Sequence, residues 1–286
     1  MKNIHRDNLT AVVQNTFQGV ADVRSKYLLQ QFVKHLHALA LETQLTQGEW
    51  RAAMGFLHDA AEISDESRSE FTLASDVFGL SSLVDLIAFK KGTTPGSVLG
   101  PFHTQGSPWM TTPVNLLADN PGEVVVLRGS VRDEAGLPLA NATVDFWQNA
   151  DNGLYWQQDP DQAQDNLRCQ FKVDAGGGFE LITIRPKPYR IPTDGPVGKL
   201  IELSSRSPWR PAHCHLIVAA PGFQTLVTEL FDRHDPYLDF DAVFGVRDAL
   251  VMHYQEEHDP LASGRLGLNR PYSVAQFDAV LASCVA

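Results

Sequence analysis

Near residue 100 the chain changes from one spacing of apolar residues to another, and that change restricts it to a fold made of two differently built parts. Before it, Leu28, Leu29, Phe32, Val33, Leu36, Leu39 and Ala40 recur at the spacing of one helix face. Thr46-Gln47-Gly48-Glu49 has the form of a capping box opening a second helix, with Trp50, Met54, Leu57 and Ala61 inside it. A further helix is expected over residues 80–90, stopped near Gly92. After residue 100 the pattern is short strands between Gly, Pro, Asn and Asp clusters. Strands are expected at 124–127, 142–147, 169–173, 179–184, 213–219 and 226–231, with Asp174-Ala175-Gly176-Gly177-Gly178 as a hairpin turn. Residues 273–282 read as a terminal helix, and 248–254 have mixed periodicity. The pattern predicts an α+β protein, with a helical part over residues 1–100 and an antiparallel β-sandwich over 101–286. The helical stripes are expected to pack in a core or a dimer interface.

The charge and cysteine content narrow the partners. A formal net charge of -11 without a basic run disfavours nucleic acid and anionic membrane. No apolar stretch has the length of a membrane helix, and the first residues carry no apolar leader, so a cytoplasmic protein is expected. Cys169, Cys214 and Cys284 are too few and too scattered for a disulfide framework or a four-cysteine zinc site.

His213-Cys214-His215 is the first candidate for chemistry. On a strand, residues two apart share a face, so both imidazoles can converge on one metal while Cys214 points into the core. Two incidental histidines are the plain alternative. Arg210, just upstream, is placed to stabilise a developing anion. A cupin needs a glutamate four or five residues beyond His-x-His, where this chain has Ala219 and Ala220; a His-Glu-x-x-His zinc motif is also missing. Tyrosine is the unusual donor: a phenolate is hard and strongly donating, and favours a trivalent ion. Tyr155 and Tyr189 lie in loops dense with glycine and proline, where sites usually sit; taken alone, each reads first as a ring packed under its loop.

Taken together these segments resemble the intradiol ring-cleavage dioxygenases over roughly residues 95–255. The series Val126-Leu127-Arg128-Gly129, Gly136-Leu137-Pro138-Leu139, Val144-Asp145-Phe146-Trp147 and Gly153-Leu154-Tyr155 looks like the family signature. The run Tyr189-Arg190-Ile191-Pro192-Thr193-Asp194-Gly195-Pro196 resembles the second tyrosine's loop, and Trp209-Arg210-Pro211-Ala212-His213-Cys214-His215-Leu216 the two-histidine strand. Asp235-Pro236-Tyr237-Leu238-Asp239-Phe240-Asp241-Ala242-Val243-Phe244 is similar to a further family segment. Ser97-Val98-Leu99-Gly100-Pro101-Phe102-His103 and Asn166-Leu167-Arg168 resemble the hydroxyquinol branch more than the catechol branch.

The resemblance implies Fe(III) held by Tyr155, Tyr189, His213 and His215. It implies an aromatic diol or triol and O2 as substrates, with release of Tyr189 as the diol binds, and Arg210 stabilising charge on the opening ring. Hydroxyquinol would give 3-hydroxy-cis,cis-muconate, the tautomer of maleylacetate. The substrate pocket would comprise Arg210, Val98, Leu99, Gly100, Pro101 and Phe102, with Asp85 accepting from the third hydroxyl. The first hundred residues would form a homodimer interface able to hold a lipid. Glu229 stands where the family often has glutamine; beside an anionic substrate it would need to be paired, for instance with Arg210, or protonated by burial. Competing readings are a catechol or chlorocatechol 1,2-dioxygenase, a non-catalytic transthyretin-like binding module and a zinc hydrolase.

Overall fold

The computed structural model describes residues 3–65 and 68–284. Packing divides the chain into two compact units, one ending at Asp59 and one beginning at Ala60. This division by packing is distinct from the change in periodicity near residue 100.

The first unit holds α1 (Leu9–Thr16), α2 (Val23–Glu42) and the start of α3 (Gln47–Ile63). Asp22 caps α2, accepting from the Ser25 amide at 2.7 Å. The expected capping box is present: the Thr46 amide donates to Glu49 at 2.8 Å and the Glu49 amide to Thr46 Oγ1 at 3.3 Å. Thr10 and His37 (3.0 Å) and paired Gln14 and Gln30 bonds tie α1 to α2. Val33 is the one buried residue of α2 among those described, so its apolar stripe is left largely uncovered.

The second unit adds α4 (Glu70–Val77), α5 (Leu80–Ala88), α6 (Pro196–Leu203) and α7 (Pro260–Leu266). Its strands are β1 (Val114–Asn115), β2 (Val124–Asp133), β3 (Thr143–Gln148), β4 (Arg168–Lys172), β5 (Gly178–Ile184) and β6 (Tyr189–Arg190). They continue with β7 (Trp209–Arg210), β8 (His213–Ala219), β9 (Leu226–Asp232), β10 (Val251–Met252), β11 (Gln255–Glu257) and β12 (Tyr272–Leu281). Among the described residues the sheets run β1-β5-β2-β12-β11 and β10-β9-β8-β3-β4, with β6-β7 as a separate ribbon. The core lies between the two large sheets, where Val144, Phe146, Cys214, Leu216 and Leu230 face Leu127, Leu181, Phe277 and Leu281.

The sandwich is as expected, with three differences. Residues 273–282 are not a helix: β12 pairs in parallel with β2 over ten residues, and from Ser273 onward its odd-numbered side chains are the buried ones. Its apolar spacing suits either period, and pairing with β2 decides. At its centre Gly129 lies opposite Phe277; a Cβ there would overlap the Phe277 carbonyl and the Phe179 ring, so only glycine fits. The Asp174–Gly178 turn is tight, with Asp174 accepting from the Gly176 and Gly178 amides at 2.8 Å, but it is not a hairpin. β4 and β5 belong to opposite sheets, and the turn carries the chain across the core. Finally, β1–β5, β2–β12 and β9–β10 are parallel pairs in an otherwise antiparallel sandwich.

Candidate metal centre

β8 is the central strand of its sheet, and its alternation places His213 and His215 on the face away from Cys214, which is buried in the core. Register supplies their neighbours. Trp147 on β3 and Glu229 on β9 lie directly opposite His215, and Phe231 lies opposite His213. The Trp147 ring stacks on His215 with centroids 4.8 Å apart and planes 1° apart. On the short ribbon, Tyr189 is the cross-strand partner of Arg210. Tyr155 opens a single 3-10 turn, its amide held by Gln158 Oε1 at 3.1 Å.

These elements bring all four expected donors into one buried cluster. Tyr155, Tyr189, His213 and His215 are each at most 5% exposed. The two Nε2 atoms are 3.2 Å apart, and His215 Nε2 is 3.2 Å from the Tyr155 hydroxyl. The rings of Tyr155 and Tyr189 meet edge to face at 5.6 Å. His213 Nδ1–H donates to the Pro211 carbonyl at 2.6 Å, which leaves Nε2 as the lone pair facing the cluster. Burial pulls the His213 pKa down to about 4 and that of His215 well below its ordinary value, so both stay in the neutral, metal-binding form. Burial likewise pushes both phenols up; ionising them needs a multiply charged cation beside them. Two neutral imidazoles facing each other through nitrogen, with two buried phenols, fit a metal ion of high charge.

Arg210 closes the cluster. It donates from Nη1 and Nη2 to Glu229 at 2.7 and 3.0 Å, and from Nε and Nη2 to Asp241 at 2.9 and 3.3 Å. Its Nη1 also lies 3.2 Å from His213 Nε2. Glu229 is thus paired rather than protonated: although burial opposes its charge, the Arg210 cation and the histidines hold its pKa down at about 2. Ser97 Oγ donates to Glu229 at 2.6 Å. His213, His215 and Glu229 also form a His-His-carboxylate group whose ligand atoms lie within 4.8 Å of one another. In that group, however, both Glu229 oxygens are already engaged by Arg210 and Ser97.

The segment 98–102 flanks the cluster. Phe102 stacks on Tyr155 at 4.4 Å and meets Tyr189 edge-on at 6.2 Å. Gly100 has φ +74, and a Cβ there would be 3.1 Å from His215 Cε1. Val98 is buried, Pro101 partly so, and Leu99 turns outward. Arg168 anchors the chain just beyond this segment, donating to Ser107 Oγ at 2.6 Å and to Thr104. Asp85 lies on α5, where its carboxyl is subject to the charge of Glu229. It lines a cavity of about 140 Å³ with Lys90, Thr93 and Gln224, and burial raises its pKa to about 6. Trp147, Ser97 and Asp241 stand inside the quoted motifs without an assigned role, and Asp76 lies outside them. Asp76 is buried on α4, where it is subject to the charges of Arg210, Glu229 and Asp241. The signal for Trp147 was its place on a strand able to pair with β8; the others depend on contacts far apart in sequence.

The profile described as Dioxygenase matches residues 98–282, and that described as Catechol dioxygenase N terminus matches 22–94. The chain belongs to the intradiol ring-cleavage dioxygenase family. Members of this family are non-haem iron enzymes that open aromatic diols with O2. A hydroxyquinol 1,2-dioxygenase of Rhizobium sp. strain MTP-10005 is 41% identical over 86% of this chain and 84% of its own. An intradiol ring-cleavage dioxygenase of Aspergillus niger is 38% identical over 99% of this chain and 86% of its own. The crystal structure of hydroxyquinol 1,2-dioxygenase from Pseudomonas putida DLL-E4 superposes with a TM-score of 0.87 at 39% identity, covering 98% of this chain and 99% of that one. Membership in an enzyme family decides against the transthyretin-like module and the zinc hydrolase.

Proposed function

We propose that this dioxygenase cleaves hydroxyquinol between its adjacent hydroxyl-bearing carbons, giving 3-hydroxy-cis,cis-muconate and hence maleylacetate, with Fe(III) held by Tyr155, Tyr189, His213 and His215. The observation that carries the reading is the convergence of two buried phenols and two neutral imidazoles beside Arg210. Iron, when bound, supplies the electrophilic centre that the diol chelates and that makes the ring reactive toward O2. The chain's own groups do the rest. Tyr189, on the two-stranded ribbon as the cross-strand partner of Arg210, would be the phenol that takes a diol proton. Tyr155, stacked under Phe102, is the phenol held in place. Arg210 keeps a fixed positive charge where the opening ring gathers negative charge. Val98, Gly100, Pro101 and Phe102 shape the apolar wall of the substrate pocket, and burial keeps bulk water from the reacting ring.

Hydroxyquinol is favoured over catechol by the relatives: the Rhizobium protein and the Pseudomonas putida structure both bear the hydroxyquinol name. The catechol 1,2-dioxygenase structure from Acinetobacter sp. ADP1 is less similar, at 26% identity. Residues 1–100 serve as the dimerisation domain of a cytoplasmic homodimer and 101–286 as the catalytic domain. Support comes from the exposed stripe of Leu28, Phe32, Leu36 and Leu39 on α2, which a second copy would cover. Any lipid bound in the helical region would be found by extraction and mass spectrometry. Among the described residues no single helix is long and apolar enough to cross a membrane.

The test is a visible spectrum of the iron-loaded protein, repeated without oxygen in the presence of hydroxyquinol and then of catechol. A broad charge-transfer band that shifts with the diol, and faster consumption of hydroxyquinol once oxygen is admitted, are the expected results. A colourless iron-loaded protein would remove the tyrosines from the site. Faster consumption of catechol would move the protein to the other branch.

A further inference from the structure

The two histidines of the cluster are oriented by different means. His213 gives its Nδ1–H to the Pro211 carbonyl, 2.6 Å away in the turn just before β8. His215 has no such partner: its Nδ1 is buried and makes no hydrogen bond among the described residues. A carboxylate oxygen, Glu229 Oε1, lies 3.5 Å from it. That is too long for a full hydrogen bond, yet the two residues are register partners on adjacent strands and a small turn of the ring closes the gap. The flat Trp147 indole on the other side lets the imidazole turn in its own plane and little else. Glu229 itself has no freedom to move away. Arg210 grips both oxygens, at 2.7 and 3.0 Å, and the single Ser97 Oγ–H is shared between Glu229 at 2.6 Å and the Gly245 carbonyl at 2.7 Å.

We propose that Glu229 is the positioning residue of His215, accepting its Nδ1–H so that Nε2 faces the metal. Arg210 and Ser97 hold the carboxylate in the register this needs. A metal-bound histidine usually donates its second ring N–H to a carboxylate or a carbonyl, and here each histidine has one of the two. The proposal rests on the four-ligand reading of the site. It also accounts for a glutamate where the resembled family often has glutamine. Either residue offers an oxygen acceptor, but Glu229 satisfies Arg210 through both oxygens and still has lone pairs for His215. A carboxylate at this place also removes one unit of positive charge from the surroundings of the iron.

The experiment compares iron-loaded wild-type protein with Glu229→Ala, Glu229→Gln and Ser97→Ala, reading the rate of iron loss to a chelator and the wavelength of the charge-transfer band. Glu229→Ala is expected to lose iron about 10- to 100-fold faster, the usual effect of removing such an orienting partner. Glu229→Gln keeps an acceptor, so it is expected to release iron at a rate between wild type and Glu229→Ala. Its band should move to longer wavelength, because a neutral amide leaves the iron more electron-poor. Ser97→Ala leaves the Arg210 pair in place, is the variant least able to disturb folding, and is expected to speed iron loss only a few-fold. Wild-type iron loss and an unmoved band in all three variants would overturn the proposal. So would complete loss of iron in Glu229→Gln alongside full retention in Tyr155→Phe, which would make Glu229 a ligand. A wild-type protein without the band sinks the four-ligand reading itself, and is read before any variant is made.

Discussion

At the scale of single residues, the site is built from positions whose side chains have little choice. Gly100 combines a positive φ of +74 with an approach to His215 Cε1 that would put a methyl group at 3.1 Å, closer than ordinary contact. Gly100→Ala is therefore expected to cost about 1 kcal/mol in backbone strain and to displace the His215 ring. Denaturant titration should show the loss of stability, and iron content per protomer the displaced ring. Tyr155→Phe and His213→Ala each remove one fully buried donor and leave its neighbours facing a gap. Both are expected to abolish iron binding or activity. Full activity in either variant, measured as oxygen uptake, would take that residue out of the centre. Cys214, between the two histidines in sequence, faces the opposite side of β8 and packs in the core, so Cys214→Ala should leave the charge-transfer band unmoved while lowering stability by about 1–2 kcal/mol.

At the scale of elements, two helices bear on the site through their ends and faces. α6 follows the Tyr189 loop, and its first turn is capped by a side chain from elsewhere. The fully buried Glu70 of α4 accepts from the Val197 amide at 2.9 Å and is paired with Arg68 at 3.0 Å. Removing the carboxylate leaves the Val197 N–H and part of Arg68 unpaired, so Glu70→Ala is expected to cost about 3 kcal/mol in chemical denaturation. On α5, Asp85 has a pKa raised to about 6 by burial, against about 3.9 in an unfolded chain. A raised carboxyl pKa means that the folded state holds its proton more tightly. Stability from this group is therefore lost as pH rises from about 4 to about 6, and the loss is complete above that window. Asp85→Asn should stabilise the protein at pH 7 by on the order of 1 kcal/mol, a figure discounted for its half-exposed setting, and should have no effect below pH 4. Melting temperatures at the two pH values check both halves.

At the scale of the whole molecule, α2 is twenty residues long and buries Val33 alone among those described, while Phe32 is 67% exposed. An apolar face of that size is expected to be covered by a second copy. Phe32→Glu with Leu36→Glu should convert a dimer to a monomer in light scattering, with the charge-transfer band unchanged, because the candidate ligands all lie in the unit that begins at Ala60. A wild-type protein that scatters as a monomer at micromolar concentration would remove the dimer.

Much of this is legible in the sequence. The stripe of α2, the Thr46–Glu49 cap, the common face of His213 and His215, and the inward Cys214 follow from local periodicity, because a strand or helix fixes where each side chain leaves its own backbone. The candidate ligands were legible only as motifs in matching contexts, since Tyr155, Tyr189 and the histidines come from separate strands and turns. What periodicity does not carry is the partner across the gap. Residues 273–282 have an apolar pattern fit for helix or strand, and ten residues of pairing with β2 made them a strand. Asp174–Gly178 has the chemistry of a hairpin turn, and its flanking strands went to opposite sheets. The pairing of Glu229 with Arg210, the stacking of Trp147 on His215 and the placing of Asp85 in a cavity with Lys90 and Gln224 were likewise decided by register and packing. Those depend on the summed contacts of segments far apart in the chain, which no short stretch of sequence contains.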